Sequence, residues 1–240
     1  MDSAFPDLLV LCAEGAPMPF FNFLKSLDEL LYQVMSWLIF YPFTFWRSVR
    51  HPLTMMSYAQ GQLEKEEGKQ FREALSPPIF LLLTVLLAHG VELAVIGNSA
   101  LISSNQGLSA VINDDTSLVV LRLVSFALLP VLMGTIQLRL AGNSLDRDCL
   151  EAPFYAQCYL TSPFALIVSL VATFSNQALD AVGAAALAAE IVAAALYLAI
   201  QSIWLARATG RNLFVTLGAS LGGLIFYLAA LWVLGLMLAD

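Results

Sequence analysis

Residues 76–97 read SPPIFLLLTVLLAHGVELAVIG. A helix crossing the hydrocarbon core of a bilayer needs about 20 mostly apolar residues, and this stretch supplies them. Ser76 before Pro77 has the form of an N-cap followed by proline in the first turn, which marks the start of the helix. Yet the same stretch carries His89 and Glu92, three residues apart and therefore on one helix face. Either those two side chains carry chemistry or they are packed against partners elsewhere in the chain.

Working outward, four more windows have the same length and character: 117–138, 154–175, 181–204 and 213–238. Turn-forming or polar segments separate them, GNSALISSNQG, AGNSLDRD, SNQ and ARATGRN. Of the 240 residues, 59% are hydrophobic and only 12% are charged. Soluble domains carry about 25% charged residues, and the mean hydropathy here is +0.78. The composition is that of an integral membrane protein. The formal net charge of −7 argues against a nucleic-acid partner. Cys12, Cys149 and Cys158 show neither disulfide nor metal spacing. The opening MDSAFPDLLVLCAEG has an acidic leader and a short apolar core, unlike a secretory signal.

Lys and Arg set the expected orientation. Lys25, Arg47, Arg50, Lys65, Lys69 and Arg72 precede the first span. Arg139 and Arg147 follow the second, and Arg207 and Arg211 follow the fourth. The connections 99–116 and 176–180 have none, and the eleventh basic residue, Arg122, lies within span two. The expected topology puts the N-terminus in the cytoplasm and the C-terminus outside.

The segment 27–46, LDELLYQVMSWLIFYPFTFW, repeats apolar residues at helical spacing among Asp28, Glu29 and Gln33. Pro42 interrupts the run, and aromatics followed by Arg47 and Arg50 suit an amphipathic helix lying in the interface. A sixth span is the alternative. Residues 57–73 are polar and read as a cytoplasmic helix with Lys65, Lys69 and Arg72 on one face, diluted by Glu64, Glu66, Glu67 and Glu73. The expected organisation is an N-terminal extension (1–39), an interfacial and polar stretch (40–75), and an all-α five-helix transmembrane bundle (76–240). Residues 1–39, acidic and with the apolar cluster Met18, Phe20, Phe21, Phe23 and Leu24, dock onto a partner or lie on the chain's own bundle.

The order of features resembles a known family. YPFTFWRSVRHP precedes the polar helix, FREALSPPIFLLL opens the first span, YLTSPFALIVSL lies in the third, and IQSIWLARATGRN closes the fourth. Over roughly residues 40–238 this is similar to the Yip (Ypt-interacting protein) domain family, in its bacterial branch. The resemblance implies a compact five-helix bundle with a cytoplasmic N-terminus. Eukaryotic relatives are linked to membrane trafficking, organelle shape and small-GTPase partners, a route that bacteria lack. Bacterial relatives are often labelled permeases. The family offers no agreed catalytic residues to carry over.

The candidate chemistry is an intramembrane polar site of His89, Glu92, Arg122 and Glu190. By depth, His89 and Glu190 lie near the midplane, while Glu92 and Arg122 lie in the outer third. An unpaired charge at such depths costs a few kcal/mol, so partners are expected. Glu92 and Arg122 are candidates to staple spans one and two, the alternative being that Arg122 snorkels to the interface. Glu190 with His89 would make a proton or cation site, and a protonated Glu190 hydrogen-bonded in the bundle is the structural alternative. Gly218 and Gly222, and Ala185, Ala189 and Ala193, form small-xxx-small faces suited to packing within the bundle or to a homodimer. Pro130 and Pro163 are expected helix kinks, with Gly134 adding looseness one turn after Pro130. No phosphate loop, HExxH, CxxC or GxSxG pattern is present, and two histidines cannot build a histidine-rich metal site. Catalysis, cofactors and metals are therefore not expected. The expected function is a membrane-organising scaffold or accessory subunit, with a small-solute or proton-coupled transporter as the alternative.

Overall fold

The structure, a computed structural model, describes residues 19–66, 69–96, 115–175 and 180–239. Much of the connections 99–116 and 176–180, together with Cys12, Asn105 and Asp240, lies outside the described residues. The described residues form seven helices: α1 Pro19–Arg50, α2 Pro52–Leu63, α3 Pro77–Ile96, α4 Asp115–Ala141, α5 Arg147–Ser175, α6 Asp180–Thr209 and α7 Leu213–Ala239. Five of them, α3 to α7, are long and apolar enough to cross a membrane. The protein is an all-α, multi-pass membrane protein.

The chain divides into two compact units, Met1–Phe40 and Tyr41–Asp240. In the first, α1 carries exposed Leu30, Leu31, Met35 and Leu38 beside an i,i+4 pair of Lys25 and Glu29 at 4.0 Å. The expected break at Pro42 does not occur, because α1 continues to Arg50. A proline within a helix removes one hydrogen bond, and a helix of 32 residues absorbs that loss.

In the second unit, α5 is the central helix and packs against α2, α3, α4 and α6. Helix α7 packs on α6 and α4. Around α5 the core is aromatic: Tyr159 donates to the Leu75 carbonyl at 2.6 Å, and its ring meets Phe80 at 5.9 Å. Thr44 Oγ1 accepts the Leu75 N–H at 3.1 Å, tying the end of α1 to the residues just before α3. The Ser76 carbonyl accepts the Phe80 N–H at 2.9 Å, the first bond of α3.

Three boundaries differ from those read in the sequence. Helices α4 and α6 run on to Ala141 and Thr209, and α5 begins at Arg147 rather than 154. Hydropathy finds the part of a helix that lies in lipid, whereas capping sets where the helix ends. Gly142 (φ 78°) closes α4 in a Schellman arrangement, with Asn143 N–H on Leu138 O at 3.0 Å and Gly142 N–H on Arg139 O at 3.2 Å. Asp146 Oδ1 then accepts the Arg147 N–H at 2.6 Å and opens α5.

The expected helix over 57–73 ends at Leu63. Gln62 turns its side chain back, and its Oε1 accepts the Phe71 N–H at 3.0 Å. Phe71 takes a left-handed backbone (φ 51°), held by ring contacts to Tyr58 and Tyr155. Lys65, Lys69 and Arg72 consequently share no helix face.

Candidate functional site

Helices α3 and α4 pack against each other and bring three ionisable side chains together. Glu92 lies 15 residues after Pro77 in α3, about 22 Å along the helix at a 1.5 Å rise. Arg122 Nη1 forms an ion pair with Glu92 Oε2. Both side chains are mostly withdrawn from the surface, at 22% exposed for Arg122 and 13% for Glu92. Arg122 Nη1 also approaches His89 Nδ1 at 3.4 Å, and His89 Nδ1 lies 3.9 Å from Glu92 Oε2.

A guanidinium only donates hydrogen bonds. Toward Arg122, His89 Nδ1 can therefore act only as acceptor. The ring's Nε2 is buried and makes no hydrogen bond. The cluster is thus a guanidinium and a carboxylate in contact, with the His89 ring against the guanidinium. In an apolar medium a lone carboxylate or guanidinium would be expensive, and each removes the other's cost.

Glu190 is elsewhere. It is half-buried in α6, which packs on α5, α7, α4 and α2, and no hydrogen bond or ion pair joins it to His89. It lies on the same helix stripe as Ala193, Tyr197, Gln201 and Trp204, all buried. The shared site of Glu190 and His89 is not formed: α3 and α6 each pack on α5 rather than on one another. Among the described residues no group of three or more His, Cys, Asp or Glu could hold a metal ion.

Most of the small-residue positions lie outside the bundle's own contacts, so the packing expected of them within the bundle is not formed and the homodimer alternative stands. Gly218 and Gly222 are exposed, and a Cβ at either would meet nothing within 4 Å. Ala185 and Ala189 are exposed too, whereas Ala193 is buried. The inward face of α7 is Thr216, Ser220, Gly223, Leu224 and Tyr227. The close approach falls on Gly223, where a Cβ would lie 2.6 Å from Ile136 Cδ1. Gly134 is a second contact point rather than a loose one: its Cβ would lie 3.3 Å from the backbone nitrogen of Phe154. Pro130 and Pro163 lie within unbroken helices, both buried.

A buried polar layer was not singled out from the sequence. Gln157 and Thr161 lie one turn apart on α5, and Tyr197 and Gln201 lie one turn apart on α6. All are buried, and both amide atoms of Gln157 and of Gln201 lack hydrogen bonds. The Tyr197 hydroxyl is close to Thr161 without a hydrogen bond between them. Nearby, Trp204 Nε1 donates to Gln137 Oε1 at 2.9 Å, joining α6 to α4. The available signal was polar residues at i,i+4 spacing inside apolar windows.

No family model, curated protein or solved structure matches this chain.

Proposed function

We propose that this chain is a non-catalytic, Yip-like scaffold that organises the membrane, or an accessory subunit of a membrane assembly. The observation that supports this reading is the closure of Glu92 on Arg122. A transporter site needs ionisable groups that open to water and exchange partners, whereas these two neutralise each other. Cavities between α5 and α6, beside the start of α5, and between α4 and α7 are all lined without His89, Glu92, Arg122 or Glu190.

The reading places the protein in a bacterial inner membrane with its N-terminus cytoplasmic. Residues 1–39 are the segment for a partner, being acidic and apolar together. Two measurements test it. Purified protein in liposomes should pass protons and small ions no faster than protein-free liposomes. Capture in mild detergent should bring down a second membrane protein in fixed ratio, and deleting residues 1–21 should weaken that capture. Flux that disappears in Glu92→Gln while thermal stability is unchanged would overturn the scaffold reading in favour of a transporter.

A further inference from the structure

Between α5 and α6, where the α1–α2 corner meets them, lies an apolar groove of about 120 Å³. Pro163, Phe164, Leu196 and Ile200 form its walls, and Ser48 and Tyr197 bring hydroxyl-bearing side chains to it. Pockets for whole solutes hold about 300–1,000 Å³. This groove is too small for that, and its walls suit part of one hydrocarbon chain.

Ser48 is only 2% exposed, and its Oγ makes no hydrogen bond. A helical serine commonly bonds the carbonyl one turn back, as Ser57 does to Leu53 at 3.0 Å. Ser48 does not, so a buried donor faces the groove with nothing to pair with.

Along the α1–α2 stretch itself the charge is one-sided. From Leu30 to Leu63 the chain has no Asp or Glu, while Arg47, Arg50 and His51 fall within that stretch. Arg47 stacks over Phe43 and Tyr58, at 5.4 and 5.5 Å from the ring centroids. Glu73 comes near Tyr58 but forms no ion pair with Arg47. Arg50 and His51 are exposed, and so is Trp46 at 63%. Exposed tryptophan beside arginine is the pattern of a helix at headgroup level.

We infer that the α1–α2 corner and this groove bind one anionic phospholipid. One acyl chain lies in the groove, the phosphate is held by Arg50 and Arg47, and the Ser48 hydroxyl donates to an ester oxygen of the lipid. This assignment stands independently of whether the bundle is a scaffold or a transporter.

Native mass spectrometry of the full chain in detergent tests it, with phosphatidylglycerol and phosphatidylcholine of identical acyl chains as probes. The wild type should retain one phosphatidylglycerol with about tenfold preference. Arg50→Gln should weaken phosphatidylglycerol retention about fivefold, the worth of one basic side chain near anionic headgroups, and leave phosphatidylcholine unchanged. Ala193→Leu fills the groove and should weaken both lipids alike. If that variant does not fold, Leu196→Trp at the exposed rim gives the same reading. Equal retention of the two lipids by the wild type, or unchanged phosphatidylglycerol retention in Arg50→Gln, overturns the site. So does thermal protection by inorganic phosphate alone that matches the protection by phosphatidylglycerol.

Discussion

Arg122 of α4 and Glu92 of α3 form an ion pair within the apolar lengths of both helices, and His89 accepts from the same guanidinium nitrogen at 3.4 Å. Removing one partner leaves the other charged in a poor solvent or forces it to neutralise, at a cost of about 3 kcal/mol. Glu92→Gln and Arg122→Gln should each lower the apparent Tm in detergent by several degrees. The double variant should lose less than the two single losses added together, because neither charge is then left alone. Thermal unfolding of the four proteins forms the cycle, and strictly additive losses would show that the pair contributes no coupling.

Glycines of α4 and α7 should separate by face. Gly134→Ala places a methyl 3.3 Å from the Phe154 backbone nitrogen and 3.3 Å from Leu150 Cδ1. Backbone cannot step aside, so overpacking should cost about 1–2 kcal/mol. Gly223→Ala meets the flexible ends of Ile136 and Met133 and should cost less. Gly218→Ala and Gly222→Ala meet nothing and should leave the monomer's stability unchanged or slightly raised. Unfolding temperatures measured at a high detergent-to-protein ratio, where monomers prevail, decide the ranking. A large loss at Gly218 would mean that this face is covered.

What the sequence made legible follows from what a bilayer demands. Five long apolar windows are readable because lipid cannot satisfy backbone groups, so each crossing must be a continuous helix. Glu92 and Arg122 become candidates for each other by counting depth from the ends of their spans. Face assignment is harder. Gly218 and Gly222 match a packing pattern, but the pattern does not say which side of α7 meets the bundle, and Gly223 is one residue away from it. Residues 57–73 read as one polar helix, but the helix ends at Leu63, where the Gln62 side chain folds back on Phe71. Such a contact has no periodic signature. Gln157 and Gln201 were hidden because two amides barely alter the hydropathy of windows so rich in Leu, Ile and Ala.

Topology can be tested directly. Ten of the eleven Lys and Arg residues lie toward one end of the spans, which predicts Gln60 and Asn143 in the cytoplasm and Asn105 and Asp240 outside. Single cysteines at these four positions, in a background lacking Cys12, Cys149 and Cys158, should react with an impermeant maleimide in intact cells only at Asn105 and Asp240. Labelling at Asn143 without lysis would reverse the assignment.

The amides of Gln157 on α5 and Gln201 on α6 are unpartnered within the chain. Each side chain is fully buried, and none of its nitrogen or oxygen atoms makes a hydrogen bond within the chain. A buried polar group left unpaired costs about 1–3 kcal/mol, while an apolar group of the same shape costs nothing of that kind. Methionine has nearly the length and flexibility of glutamine and carries no strong donor. Gln157→Met and Gln201→Met should therefore each raise stability by about 1–2 kcal/mol, or about 2–8 °C in Tm at this chain length. The two residues lie on packed neighbours, so the double variant should be measured as well. A loss of stability in both single variants would show instead that ordered water or a bound molecule pairs these amides in the membrane, and that the layer between α5 and α6 is wet.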